Sequence, residues 1–487
     1  MSMLRRSVRS VSAVTFSACM VVSIAGAGVA QSQSLESQST AAFGSLQQAG
    51  SSLGSLEDLL PGGKAPKNII YMVGDGMGFN HVANTNLFES GQSRYAVEGE
   101  ADGEALEEAG GEAVQVYEGD EWQQSSMSTY PVDSGYDPVK AWNDNDYINQ
   151  NVTDSAAAGT AMATGQKTLN GMIGVDAEGN ELENTNERAL SIGKSAGVVS
   201  SVPFNHATPA AWGAHNSDRN ALHDMADEMI DSDLNVIFGA GHPDFDDNAA
   251  GRDAKYEYLS EEGQDLLESG DSGFEYFDDS ETFADLAAGN VSSDRYFGLA
   301  PVATTLQQNR DGESVVPGDV PANDVTDLPT MSTAALNVLG QDEDGFQVMI
   351  EGGAIDWTGH ANESARNVEE TQDFNAAVEA VNVWVEKNSN WDETLVIVTA
   401  DHETGYLSGE DQGDGWKALH GPTGQLPSHQ WYSGNHTNQL VPVFVRGAGA
   451  DAVIAAADKQ DPVRGSYIDN TTIAKLTLEN WWTAEGK

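Results

Sequence analysis

Ser155 stands between an aspartate and a run of alanines in VTDSAAAGTAMATG, residues 152–165. A serine hydroxyl is a poor nucleophile near neutral pH and needs a base or a metal to activate it. No histidine lies close to Ser155 in the sequence, so a bound metal is the natural agent. The plain alternative is that Ser155 only caps a helix. Residues able to hold a metal recur along the chain. Asp75, His206 with Thr208, Glu351 with Asp356, and Asp401 with His402 each follow an apolar run within a few residues. Taken singly, an aspartate after a strand is a turn former or a helix cap. Taken together, four carboxylates and two imidazoles at one place would repel themselves without cations. DWTGH sets Asp356 and His360 four residues apart, on one face if helical, and His436 sits beside a glycine and an asparagine. Aspartate, glutamate and histidine without cysteine form the ligand set of zinc mixed with magnesium or manganese.

The elements that must position these residues have a common grammar. KNIIYMVGDGMG (67–78) is an apolar run ending in Gly-Asp-Gly, as a buried strand entering a loop and then a helix would. AGVVSSVPFN (196–205), FQVMIEGGAID (346–356), TLVIVTADHETG (394–405) and LVPVFVRG (440–447) read the same way. Helical patterns lie between them, the clearest over 365–388. Strands alternating with helices predict an α/β fold, a three-layer α/β/α sandwich around a mostly parallel sheet. In such a sheet, ligands bind beyond the carboxyl ends of the strands, where the polar residues above emerge. Stretches at about 90–150, 243–315 and 407–432 are acidic and Gly-rich, and are expected as surface insertions.

The 487 residues carry 23 Lys+Arg against 76 Asp+Glu, a formal net charge of −53. Such a chain repels nucleic-acid phosphates and anionic membrane surfaces, so neither is expected as a partner. Acids spread along the whole length suit a halophilic protein, soluble where salt screens self-repulsion; an acidic secreted protein of ordinary habitat is the alternative. Arg5, Arg6 and Arg9, a small-residue apolar run from about Val11 to Val29, and AGAGVA read as a secretory signal cut after Ala30. Export to the periplasm or beyond is expected. The only cysteine, Cys19, lies within that signal, so the exported chain has no disulfide or thiolate ligand. Residues 31–65, rich in Ser, Gln and Gly, read as a linker or N-terminal arm, leaving 66–487 as the catalytic domain.

MVGDGMG, VTDSAAAGTAMATG, NHATPAAWGAHNSDR, EGGAIDWTGH, TADHETG and SGNHTNQLVPVF, in that order, closely resemble the alkaline phosphatase family. The likeness runs from about residue 67 to the C-terminus and is weak in the three insertions. It implies hydrolysis of phosphate monoesters, with an alkaline optimum and broad range, through a phosphoserine on Ser155. It implies two Zn2+ and one Mg2+. Asp356, His360 and His436 would hold one zinc. Asp75, Asp401 and His402 would hold the other, with Asp75 bridging to magnesium. His206, Thr208 and Glu351 would complete the magnesium shell. Arg219 would clamp the phosphate, oriented by Asp154, with Trp357 close to substrate. The family has aspartate or histidine at the position of His206, and lysine, histidine or tryptophan at that of Trp357. The histidine option gives the magnesium shell one negative charge fewer. The resemblance also implies a homodimer. His420 and His429, in the loop before His436, are either extra ligands or ordinary loop histidines. Two other readings stand beside this one: a metal-dependent phosphodiesterase or nucleotide pyrophosphatase of the same superfamily, which usually has threonine as nucleophile, and a non-catalytic acidic cation-binding protein.

Overall fold

The computed structural model describes residues 64–99, 106–108, 110–413 and 415–483. These belong to one unit, Leu56–Lys487. The expected secretory signal and nearly all of the expected arm lie outside the described residues.

Among the described residues, eleven strands form the main sheet. In chain order they are β1 Asn68–Gly74, β2 Gln123–Ser128, β3 Ser195–Pro203, β4 Val236–Ala240, β5 Glu275–Phe277, β6 Tyr296–Leu299, β7 Phe346–Gly352, β8 Thr394–Thr399, β9 Val441–Gly447, β10 Lys459–Asp461 and β11 Gly465–Asp469. Their spatial order is β10-β11-β2-β9-β8-β1-β7-β3-β4-β6-β5. From β8 to β5 every pairing is parallel. β9 runs antiparallel to both β8 and β2, and β10 antiparallel to β11. The central strands are unbroken apolar runs because both sheet faces are covered: every residue of β1, β7 and β8 is buried.

Among the covering helices are α1 Ser155–Thr164, α2 Thr185–Ser191, α3 Ala207–Ala210, α4 Ala354–Ala361 and α5 Ser364–Asn388. Strand alternation assigns the faces. On β7, Phe346 meets Trp384 of α5 at 5.8 Å between ring centroids, and Gly352 lies against Phe374 of the same helix. Gln347, of opposite parity, bonds Thr185 of α2, and Tyr71 of β1 packs on Trp212 at 5.5 Å. The expected three-layer α/β/α arrangement is the one observed. Glu351 shares the parity of Gln347 and so points to the α2 side, toward α1 and α3.

The stretches expected as surface insertions differ among themselves. Residues 90–150 also supply β2, which sits inside the sheet between β9 and β11. Its sequence, QQSSMS, carries no apolar run. Its serines are buried nonetheless, and Ser125 Oγ donates to Ser466 O at 3.0 Å. Residues 243–315 supply β5 and β6 at the far edge. Among the described residues, 407–432 supply no strand to the main sheet; Leu407–Ser408 pairs with Gln430–Trp431, and single bridges join Trp416 to Gly99 and His420 to Ser428.

Candidate active site

The chemistry-bearing residues collect at one edge of the sheet. Asp75 follows β1, His206 and Thr208 follow β3, Glu351 ends β7 and leads to α4 with Asp356 and His360, and Asp401 and His402 follow β8. His436 precedes its strand, β9. Because β9 is reversed, its start lies at the same edge as the carboxyl ends of the parallel strands. His436–Thr437 also pairs with Glu403–Thr404, which ties the two loops together. Gly76 lets the loops close: its φ is +74°, and a Cβ there would lie 2.7 Å from Thr404 Oγ1 and 2.8 Å from Asp356 Cα.

One half of the site is rich in imidazole. Asp356 contacts His360 Nε2 at 3.4 Å and His436 Nε2 at 3.4 Å. His360 Nδ1 donates to Gly434 O at 2.9 Å and His436 Nδ1 to Thr153 O at 2.7 Å. Both Nε2 lone pairs then face one another across 3.1 Å, an arrangement that requires a proton or a metal ion between them. Burial alone would raise Asp356, but the two imidazoles hold it well below the usual carboxylate range. Burial opposes the charge on His360, yet Asp356 carries it up to about 9.

The other half is rich in carboxylate. His402 Nε2 lies 3.1 Å from Asp401 Oδ2, 3.4 Å from Asp75 Oδ1 and 3.1 Å from Ser155 Oγ. Thr404 Oγ1 donates to Asp356 and so accepts from His402 Nδ1, at 3.2 Å; in the neutral imidazole, which burial favours, His402 Nε2 is then without a proton. Asp75 Oδ1, Asp401 Oδ2, Glu351 Oε1 and His206 Nδ1 are all buried with no hydrogen-bond partner. Burial, reinforced by neighbouring carboxylates, pushes Asp75 well above its ordinary value; burial likewise takes Glu351 up to about 8. Thr208 Oγ1 donates to Asp75 Oδ2 at 3.2 Å, and Ser200 Oγ donates to Glu351. Ligand atoms of Asp356, His360 and His436 lie within 4.8 Å of one another, as do those of Asp75, Asp356 and His402. Orphaned carboxylate oxygens beside bare imidazole nitrogens fit divalent cations, which would satisfy both at once.

Ser155 opens α1, whose ten residues are all buried. Gly159 permits that burial, since a Cβ there would come within 3.1 Å of Ala211 Cβ, next to α3. Asp154 caps the helix. Its Oδ1 accepts from Ala157 N at 2.9 Å, while its Oδ2 accepts from Gly171 N at 2.9 Å and pairs with Arg219 Nη1 at 3.0 Å. Ser155, Arg219, Trp357, His360 and His436 line an open cleft of about 630 Å³. Trp357 lies edge-on to His206 at 5.5 Å.

Every expected site residue thus sits at this cleft or just beneath it. Sequence reasoning missed Thr404, which orients His402 and Asp356, and Gln308, Asn309 and Asn435 on the cleft wall. Thr404 lies two residues from His402 and was within reach of the pattern; Gln308 and Asn309 lie in a stretch with no periodic signal. His429 bonds Ser364 Oγ and Pro427 O, each at 2.6 Å, and His420 faces Glu98 at 3.6 Å, so neither joins the centre.

The family model for alkaline phosphatase matches residues 66–425. Alkaline phosphatase 3 of Bacillus subtilis is 29% identical over 360 residues, covering 71% of this chain and 63% of that protein. Alkaline phosphatase 4 of the same organism is 30% identical, covering 72% and 65%. The matched part therefore spans just under two thirds of these two relatives. Alkaline phosphatase of Escherichia coli is 28% identical over 404 residues, covering 77% and 78%. The solved structure of a cold-active alkaline phosphatase from Shewanella sp. superposes with a TM-score of 0.61 at 25% identity, covering 85% of this chain and 99% of that one. His436 lies beyond the family-model match, and the fold itself returns it to Asp356 and His360. By its sequence over most of its length, and by its sheet, this chain belongs to the alkaline phosphatase family.

Proposed function

We propose that this protein hydrolyses phosphate monoesters through a phosphoserine on Ser155 at a centre of two zinc ions and one magnesium. Asp356, His360 and His436 would hold one zinc, Asp75, Asp401 and His402 the other, and Asp75, Thr208, Glu351 and His206 the magnesium. Bound there, the ions would supply positive charge and Lewis acidity at the oxygens that enter and leave phosphorus. The residues of the chain do the rest. Arg219, held by Asp154, offers a planar fork to two non-bridging phosphate oxygens. Ser155, first residue of α1, meets the anion where free backbone N–H groups and the helix dipole favour negative charge. Ser155 Oγ displaces the alcohol from phosphorus; water then cleaves the Ser155 ester, releasing phosphate and restoring the hydroxyl.

The observation that supports this reading is the set of partnerless buried atoms, Asp75 Oδ1, Asp401 Oδ2 and Glu351 Oε1, gathered around a serine with an arginine across the cleft. The test is metal analysis of the exported form together with hydrolysis of p-nitrophenyl phosphate and its bis ester, with and without chelator. The expected result is bound zinc and magnesium and a chelator-sensitive preference for the monoester. Preference for the bis ester would turn the reading toward the phosphodiesterase, and metal content without hydrolysis toward the cation-binding protein.

The same reading includes a homodimer, small phosphomonoesters as substrates and no nucleic-acid partner. Among the described residues no helix is long and apolar enough to cross a membrane, and export rests on the basic, then apolar, N-terminus. The −53 charge supports activity that persists or rises with added salt. A rate falling steadily from low salt upward would count against that last point.

A further inference from the structure

A second cavity, of about 420 Å³, lies behind the wall of the active cleft. One segment separates the two. Gln308 and Asn309 face the cleft, while Leu306, Gln307 and Arg310 face the cavity. On its far side the cavity meets α5 at Glu370 and Asp373, one helical turn apart. Glu370 is 4% exposed, and its Oε1 has no hydrogen-bond partner. Asp373 accepts a single bond, from Leu328 N at 3.4 Å.

Two arginines stand nearby, but their donors point elsewhere. Arg310 bonds Glu369 at 2.6 Å and the carbonyls of Gln307, Val320 and Pro321. Arg366 bonds the carbonyls of Gln307, Arg310 and Gly312. Burial pushes Glu370 up to about 8 and Asp373 up to about 7. A buried carboxylate without a partner is costly, and either a proton or a cation relieves it. Among the described residues, three-ligand groupings tight enough for a metal ion occur only at the Ser155 centre. The cavity is instead roomy, with Phe88, Leu306, Val320 and Pro321 as apolar walls. Its volume falls in the range of small-molecule sites.

We propose that this cavity binds a small organic cation: a primary ammonium against Glu370 and Asp373, carried on a short apolar tail that lies along Phe88, Leu306 and Val320. An ammonium has three donors and no acceptor, which suits Glu370, whose Oε1 lacks a partner, beside Asp373, which accepts one bond. The site is independent of the reaction assigned to Ser155.

The test is calorimetric titration and thermal unfolding of the full chain with n-butylammonium chloride, against sodium chloride at matched ionic strength. The expected result is saturable binding and a raised Tm for n-butylammonium alone. Glu370→Gln should weaken that binding about tenfold or more, the loss of a charge-assisted hydrogen bond. Ala322→Trp, at the exposed mouth of the cavity, should block it while leaving both carboxylates in place. Equal responses to the two salts would overturn the proposal, as would undiminished binding in Glu370→Gln. Stabilisation by calcium chloride but not by n-butylammonium would overturn it too. A Glu370→Gln protein more stable than the parent, in a parent that ignores n-butylammonium, would show Glu370 to be a protonated core acid and would equally end the idea.

Discussion

Two regions of this molecule bury carboxylate oxygens that lack partners, Glu370 Oε1 in one and those of Asp75, Asp401 and Glu351 in the other, and the regions are built in different ways. At the Ser155 centre the acids arrive on the ends of β1, β7 and β8 and on α4, and they are interleaved with imidazoles at 3.1–3.4 Å. At the second cavity both acids come from one helix, a turn apart, and the other walls are mainly apolar. Spacing decides what each can bind. Oxygen and nitrogen atoms within 4.8 Å of one another can share a single ion. Two carboxylates facing 420 Å³ of space meet a ligand that has a body of its own. Buried acid alone therefore says little about a ligand; the distance between donors, and what fills the rest of the wall, says much more.

The sharpest way to break this comparison is to remove one group from each region. Ser155→Ala should lower p-nitrophenyl phosphate hydrolysis on the order of 10⁴-fold or more, the cost of losing a nucleophile. Glu370→Gln should leave it within about threefold, because it touches no reacting atom. Comparable losses from both would mean that the cavity is part of the catalytic centre. Next in size is Arg219→Ala, expected to cost about 10²-fold in kcat/KM by removing donors aimed at the phosphate. Lysine at 219 should recover only part of that, since it lacks the planar fork.

Chelation should separate the regions by stability. Ions that bind only the folded state stabilise it by mass action, so their removal should lower Tm by about 5 °C or more and abolish hydrolysis. The unfolding shift caused by n-butylammonium should survive chelation. A Tm indifferent to chelator would contradict the fit of metal ions to the partnerless oxygens of Asp75, Asp401 and Glu351.

The smallest effect comes from an acid–imidazole pair that needs no ion. His215, just upstream of Arg219, contacts Glu228 at 2.7 Å. Burial opposes its charge, but Glu228, with Glu187 beyond it, holds it up to about 9. Since this folded value lies above the unfolded one of about 6.5, the pair's stability is fully present below pH 6.5 and is lost as pH rises through about 9. Glu228→Gln should therefore cost about 1 kcal/mol at pH 6, discounted for the 40% exposure of Glu228, and almost nothing at pH 10. Urea unfolding at the two pH values measures this; an equal loss at both would show the pair to be packing rather than charge.

Much of the centre could be read from local pattern. Asp75, Glu351, Asp401 and His402 end or follow apolar runs, and a strand buried on both faces leaves its first polar residues at the sheet edge. Asp356 and His360 share a face of α4 through 3.6-residue periodicity alone. Ser155 after Asp154 signals a helix start by side-chain chemistry that spans three residues. These are short-range properties, and the sequence by itself determines them. Other features were settled only when the chain folded. His436 enters the site because β9 runs against β8, and strand direction depends on pairing partners 43 residues apart or more (Thr399 Oγ1 to Pro442 O is one such link). β2, with four serines and glutamines before its methionine, joins the sheet because β9 and β11 supply the hydrogen bonds that its own composition does not advertise. The bare Nε2 of His402 follows from Thr404 being committed to Asp356, and the solitude of Glu370 from arginines that serve backbone carbonyls of another segment. In each case the cause is the same. Hydrogen-bond satisfaction in a closed interior is a property of all the neighbours together, and only the tertiary structure determines who those neighbours are.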